Sequence, residues 1–367
     1  MDPSVIDARL RAHRLTAPAI TPVEAAEHLL AVQAQEFWGG RWALGVRCGD
    51  GAGAGAGVGA GVGAPTLSDV DAAFERGELV RSWTMRGTIH VIAARDLGWV
   101  LSVTGERQRR QAASRQRQLG LDDADLVRAE RVVASALDGG GRLTRDEMMA
   151  VLDRGGVSTA GQRGYHLLYA LSVRGLICQG PVVPRDGAPT REQYFVLSGE
   201  WIREPVEPDD PLAEFFVRYI RGHGPAGAAD FAWWSGLPLT VARRAAAASA
   251  DRLVEVDDGV FRTAAVPPAD PRMPRVVALP SFDEYYLSYT DRTTVATPEL
   301  AALIGPGKNG LVRPILLADG LVAGTWAHSK AVGRHTDDPV PDLVDTDAAS
   351  PDEVVAALDR YARFIAG

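Results

Sequence analysis

The chain has 367 residues, 46% hydrophobic and 23% charged, with a formal net charge of −8. That is length for several cores and an ordinary composition for a soluble globular protein. No uninterrupted apolar run reaches the roughly 18 residues of a spanning helix, and the opening "MDPSVIDARLRAHRL" lacks a basic-then-apolar signal, so a cytoplasmic protein without a membrane partner is expected.

In chain order, the first segments are "PSVIDARLRAHRL" and "PVEAAEHLLAVQAQ", both amphipathic. The second belongs to "EHLLAVQAQEFWGG", Glu27 to Gly40, where Leu29, Leu30 and Val32 predict a helix ending at Gly39–Gly40. Gln33 and Gln35 stand two apart, so on a regular helix they point about 200° away from each other. Both face one cavity only if the helix ends or distorts there. A Gly/Ala tract from Gly49 to Pro65 follows, expected as a mobile loop. Beyond it come "TLSDVDAAFERGEL" and the strands "VRSWTMR" and "TIHVIA".

The pattern of helices followed by a hairpin recurs most clearly in the middle of the chain. "DADLVRAERVVASALD" predicts a helix, and "TRDEMMAVLDRGG" a second with a Thr144/Glu147 capping box. "STAGQRGYHLLYALSVRGL" predicts a third, with Ser158 as N-cap and Gly175 as stop, before the strands "ICQGPVV" and "EQYFVLS". A shorter copy runs from "PLAEFFVRYIRGHG" through "GAADFAWWSGL" and "LTVARRAAAASADRL" to "VEVDD" and "GVFRTA", joined by an Asp-Gly turn. After Pro274 short strands dominate until a closing helix capped by Ser350.

The expected fold is α+β and predominantly helical: three tandem winged helices and a C-terminal β-rich module, which the family resemblance given below implies to be β-barrel-like. The expected boundaries are 1–120, 121–205, 206–270 and 271–367. Winged helices mostly bind DNA. A net negative charge opposes a polyanion partner, yet Arg86–Gln118 carries seven arginines against one Asp and one Glu, +5 over 33 residues. This segment is either a solvated helix face or a phosphate-binding patch. Arg107, Arg109 and Arg110 are its candidate DNA contacts. Two cysteines, Cys48 and Cys178, and seven scattered histidines form neither a disulfide framework nor a metal motif, so neither metal nor cofactor is expected.

Three motifs in order, "LLAVQAQ", "SWTMRGTIH" and "LPSFDEYYLSYTDR", resemble those of the AlkZ-like family of bacterial DNA glycosylases over nearly the whole chain. The resemblance implies tandem winged helices with a β-barrel, no metal, and excision of purines alkylated at N7. It places Gln33 and Gln35 in the active site. The Gln-x-Gln pattern resembles the antibiotic self-resistance branch, which implies bulky natural-product adducts or interstrand crosslinks. The implied partner is double-stranded DNA, bound by a monomer that is nucleoid-associated when engaged. The Gly/Ala tract departs from the family pattern.

An N7-alkylated guanine is cationic, so its glycosidic bond is weak and its departure needs no general acid, unlike ordinary glycoside hydrolysis. What remains is to hold a water and favour the developing sugar cation. An amide carbonyl can do both, without acting as a base. Gln35 is assigned to the water and Gln33 to sugar or water contacts; the exchanged assignment stays open. A crosslinked base cannot be extruded freely, so the lesion must be reached in or near the duplex.

In "SWTMRGTIH", strand alternation puts Trp83, Met85, Gly87 and Ile89 on one face and Thr84, Arg86, Thr88 and His90 on the other. Arg86, Thr88, His90 and Trp83 are candidate lesion contacts, or else parts of a wing with Trp83 in the core. In the third motif, Asp283, Glu284 and Arg292 are expected to form a buried ion network supporting the site. Alternatively, one carboxylate or Tyr285 reaches the lesion. Two other readings are a winged-helix regulator, which leaves the two glutamines without a role, and a protein-interaction scaffold, which predicts no salt-dependent DNA affinity.

Overall fold

The computed structural model describes residues 2–49, 63–185, 190–307, 310–327 and 339–367. Most of the Gly/Ala tract, 50–62, lies outside them. The described chain divides into two compact units: Met1–Val70 with Leu212–Gly367, and Asp71–Pro211.

The chain begins with α1 (Pro3–Ala12), α2 (Pro22–Leu29), β1 (Val32–Gln33) and α3 (Phe37–Gly45). The predicted helix through the glutamines is therefore two helices with an extended break. Leu30 leaves the helix with φ +69°, which stops α2 without glycine or proline. Gly39 and Gly40 lie inside α3 rather than ending a helix.

Next come α4 (Leu67–Glu75), β2 (Leu79–Met85), β3 (Thr88–Ala93) and the long α5 (Leu97–Gln118). The second unit continues with α6 (Asp123–Leu137), α7 (Arg145–Arg154), α8 (Arg163–Val173), β4 (Ile177–Val182), β5 (Gln193–Leu197) and α9 (Ser198–Trp201). The capping box on α7 is formed as expected, Thr144 and Glu147 satisfying each other's backbone N–H. Ser158 does not cap α8: Gly161 at φ +61° turns the chain first, and the helix starts at Arg163. Within this unit four antiparallel strands run in the order β3-β2-β4-β5. The core beside them includes Val133, Leu152, Leu168 and Phe195.

The first unit resumes with α10 (Pro211–His223), β6 (Ala226–Gly227), α11 (Ala228–Ser235), α12 (Leu239–Ala248), β7 (Val254–Asp257) and β8 (Val260–Arg262). It closes with β9 (Val276–Leu279), α13 (Glu284–Leu287), α14 (Pro298–Ile304), β10 (Ile315–Ala318), β11 (Leu321–Ala327), β12 (Val340–Leu343) and α15 (Pro351–Ala366). The last four strands order as β12-β11-β10-β9. Among the described residues β9 and β12 stay at opposite edges, so this is an open sheet and not a barrel. It is covered on one face by α15 and α3: Trp42 packs on Tyr361 and Phe364 and donates its indole N–H to the Ala278 carbonyl at 2.8 Å. That packing explains Gly45, where a Cβ would come within 2.5 Å of the Phe364 ring.

No helix among the described residues is long and apolar enough to cross a membrane.

Candidate active site

In the first unit the Gln-x-Gln segment is held at two points by the "LPSFDEYY" motif. The Gln33 backbone N–H donates to Glu284 Oε1 at 2.8 Å. Ser281 Oγ donates to Glu36 Oε2, also at 2.8 Å, just beyond Gln35. The segment between is extended at Val32–Gln33 and bends at Gln35. The regular helix that would point the two side chains about 200° apart is therefore absent at this segment. Gln33 is buried, and Gln35 is exposed.

Glu284 is wholly buried and accepts from at least three donors. Besides Gln33, the Trp234 indole N–H and the Ser288 hydroxyl both donate to Oε2 at 2.8 Å. A buried carboxylate requires such donors, because stripping it of water without replacement costs several kcal/mol. His223 Nε2 stands 3.9 Å from the same oxygen. Of the "WW" pair, Trp234 is thus a structural ligand of Glu284, while Trp233 is half-exposed and donates to the Leu287 carbonyl at 2.9 Å.

Asp283 is buried and paired, but its partner is Arg47, not Arg292. The two form a two-pronged bridge, Nη1 to Oδ2 at 2.9 Å and Nη2 to Oδ1 at 2.7 Å. Asp283 Oδ1 also accepts the Tyr285 backbone N–H at 2.9 Å, capping α13. Both carboxylate oxygens are therefore engaged, and Arg292 turns elsewhere. It donates to the Tyr286 carbonyl at 3.2 Å, its guanidinium 5.2 Å from the ring centroids of both Trp233 and Tyr286. Tyr285 is buried, donating its hydroxyl to the Gly320 carbonyl at 2.9 Å, so it faces the fold's interior.

In the second unit, Arg86 and Gly87 form the tip of the β2–β3 hairpin, with φ +54° and +69°. These values match a two-residue turn of the primed type. The expected strand alternation therefore ends at Met85 and resumes at Thr88, which pairs with Met85. Arg86 Nη2 lies 3.3 Å from His90 Nε2, and Thr84 Oγ1 is 2.9 Å from His90 Nδ1. A guanidinium only donates, so His90 accepts at Nε2 and carries its proton on Nδ1. Burial, and then the Arg86 charge, hold His90 well below the usual histidine range. His90 is thus a neutral, buried support for Arg86 and not a cation facing phosphate.

Thr88 is half-buried, bonding back to the Met85 carbonyl at 3.2 Å. Trp83 lies in the core, packed edge-on against Tyr165 and Tyr169 at 5.7 and 5.9 Å, which removes it as a stacking platform. Arg107, Arg109 and Arg110 are exposed on α5, with Arg110 paired to Glu106 one turn back. Between them Gln108 turns inward: its amide donates to the Thr84 carbonyl at 2.9 Å and accepts the Gly87 N–H at 3.3 Å.

Sequence reading missed Arg47, Trp234, Ser288 and Gln108. Arg47 carried a signal, being a cation at the end of the apolar run "FWGGRWALGVR". Among the described residues no group of three or more His, Cys, Asp or Glu side chains is placed to hold a metal.

The model of the "DNA glycosylase AlkZ-like" family matches residues 26–364. The chain is 28% identical over 287 residues to the interstrand DNA cross-link repair glycosylase of Streptomyces sahachiroi, covering 72% of this chain and 74% of that protein. The solved structure of the Streptomyces sahachiroi DNA glycosylase AlkZ superposes with a TM-score of 0.75 at 23% identity, over 99% of this chain and 96% of that one. At that identity the superposition speaks to the fold.

Proposed function

The chain belongs to the AlkZ-like DNA glycosylases, and from that premise we propose that it hydrolyses the N-glycosidic bond of N7-alkylated purines, with bulky adducts or interstrand crosslinks as its substrates. The crosslink part of the reading is supported by the activity for which the Streptomyces sahachiroi relative is named. The observation that carries the site is the anchoring of the Gln-x-Gln segment: Glu284 fixes the Gln33 backbone, and Gln35 stays exposed two residues on.

In this reading Gln35 orients the attacking water through its amide oxygen, and Gln33 contacts the sugar or the same water. The leaving base is already cationic, so no acid is required. The amide's partial negative charge favours the developing oxocarbenium ion. An amide in place of a carboxylate gives up roughly 3–4 kcal/mol of transition-state stabilisation, which a labile lesion tolerates and a normal nucleotide does not.

Arg86, aligned by His90, is assigned to a phosphate near the lesion, with Thr88 beside it. Arg107, Arg109 and Arg110 are assigned to the duplex backbone. Asp283, Glu284, Tyr285 and Arg292 support the site from within the fold. The helix–hairpin repeats are read as winged helices at 1–120, 121–205 and 206–270, followed by the module 271–367. Their element order supports this. The enzyme is assigned to act as a monomer, without a metal. A non-enzymatic regulator would need no anchored pair of amides.

The test is a duplex bearing one N7-methylguanine, and a second bearing an N7-linked interstrand crosslink, each incubated with wild type and with Gln35→Ala. Alkaline cleavage reports abasic sites. Product from wild type and little from the variant supports the assignment. Equal product from both removes Gln35 from the chemistry, and no product from either overturns the substrate class.

A further inference from the structure

The helix that grips the Gln-x-Gln segment also carries a surface that the assigned chemistry leaves unused. From α13, Glu284 holds the Gln33 backbone, while the Leu287 carbonyl accepts the indole N–H of Trp233 at 2.9 Å. Trp233 is 47% exposed. Its ring is nonetheless fixed, because its N–H edge is pinned at Leu287 and the Arg292 guanidinium stands 5.2 Å from its centroid. An aromatic surface held in this way loses little conformational freedom on binding. One exposed tryptophan needs no explanation by itself. The arginine beside it does.

Arg292 is half-buried between the rings of Trp233 and Tyr286. Its Nε donates to the Tyr286 carbonyl at 3.2 Å, and its Nη2 is buried without an acceptor. Among the described residues no carboxylate bridges to it. The nearby acids are engaged elsewhere. Asp291 accepts the N–H and hydroxyl of Thr293 at 2.8 and 2.7 Å. Asp230, on α11, accepts the N–H and hydroxyl of Thr290 at 2.9 and 2.8 Å and the Gly227 N–H at 3.3 Å. The Tyr286 hydroxyl donates to the Gly305 carbonyl at 3.1 Å. Burial lowers the Arg292 pKa, yet a guanidinium stays charged in proteins. A half-buried cation with an unsatisfied donor and no carboxylate partner is stabilised by an anion from outside.

Resting on the glycosylase reading, we propose that Trp233 and Arg292 bind one unpaired nucleotide of the DNA substrate. Its base stacks on the exposed part of the indole, and its phosphate lies against the guanidinium. Aromatic stacking beside an arginine is the chemistry that holds single-stranded DNA without regard to sequence. A paired base keeps its faces inside the helix stack and offers the indole nothing. The site therefore reads distortion of the duplex, which a bulky lesion supplies, and not the chemistry of the lesion.

The probe is an undamaged duplex with one extra, unpaired thymidine, compared with the fully paired duplex by fluorescence anisotropy on full-length protein. Trp233→Phe and Trp233→Leu both lose the bond to Leu287, but only phenylalanine keeps a flat ring; the melting temperature of each is checked against wild type. Wild type should prefer the bulged duplex. Trp233→Leu should bind it about fivefold or more weakly, with Trp233→Phe close to wild type and the paired duplex unaffected in both. Arg292→Gln should lower the salt slope on the bulged duplex by about 0.7, as one strand phosphate requires. Equal binding of the two duplexes by wild type overturns the proposal. So does a loss that Leu and Phe share, or one that extends to the paired duplex. The probe carries no lesion, so failure of the substrate assignment is scored by excision alone and is distinguishable from failure here.

Discussion

The backbone N–H of Gln33 and the carboxylate of Glu284 meet at 2.8 Å across 251 positions of sequence. Gln33 is thereby positioned through its main chain, leaving its side-chain amide to other contacts. Glu284→Gln turns part of an acceptor-only group into a donor, so at least one of the Gln33, Trp234 and Ser288 donors loses its partner. Leaving a buried donor unsatisfied costs about 1–3 kcal/mol. The variant should melt lower and excise more slowly although both glutamines are intact. Single-turnover excision measured well below its melting temperature checks this; a wild-type rate would separate Glu284 from the site.

Arg47 and Asp283 form a wholly buried bridge. Removing one partner strands the other charge without water, at about 3–5 kcal/mol. Arg47→Met and Asp283→Asn should each show that loss in urea unfolding. Arg47→Met combined with Asp283→Asn should recover much of it, because no full charge then remains buried. If the double variant is as unstable as the sum of the singles, the two side chains act independently.

Much of the fold is local chemistry that the sequence displays. The Thr144–Glu147 box, the Asp-Gly turn at Asp258–Gly259 and the strands around Arg86 follow from residue type and spacing. The rest depends on partners far along the chain. Nothing near Asp283 announces that its cation is 236 positions away at Arg47, and Arg292, in the same motif, is the partner that proximity in sequence favours. The end of α2 at Leu30 is hidden because a left-handed leucine has no signature, whereas Gly39–Gly40 has an obvious but misleading one. Trp83 and His90 alternate as a half-exposed hairpin should, yet both are buried, Trp83 against Tyr165 and Tyr169 and His90 against Thr84 and Arg86.

Arg107, Arg109 and Arg110 project from α5 into solvent while Gln108 between them anchors the hairpin tip. If they bind phosphates, the triple change to alanine should weaken an undamaged and a lesion-bearing duplex equally. The slope of log affinity against log salt should fall by about 0.9 for each arginine–phosphate pair removed. Arg110 should contribute least, because Glu106 already competes for it. By contrast, Gln108→Leu should leave the salt slope intact but reduce excision, since it frees the Gly87 N–H and loosens Arg86. Anisotropy titrations from about 50 to 200 mM salt discriminate the two effects.

His13, His28 and His90 are buried and held neutral, each with its pKa below the usual histidine range chiefly through burial. His28 is depressed to about 3. In the unfolded chain all three take up protons near pH 6.5, whereas the folded protein does not. The unfolded state therefore binds more protons below that pH, and stability falls with it. It should be fully present above about pH 6.5 and decline as pH drops toward about 3, with a limiting slope of about 1.4 kcal/mol per pH unit for each histidine. His28→Gln, which keeps both a donor and an acceptor without titrating, should flatten the decline between about pH 6 and pH 4 by about one histidine's share. Urea unfolding at half-unit intervals of pH measures the slope. An unchanged slope in the variant would show that His28 stays accessible to protons in the folded state.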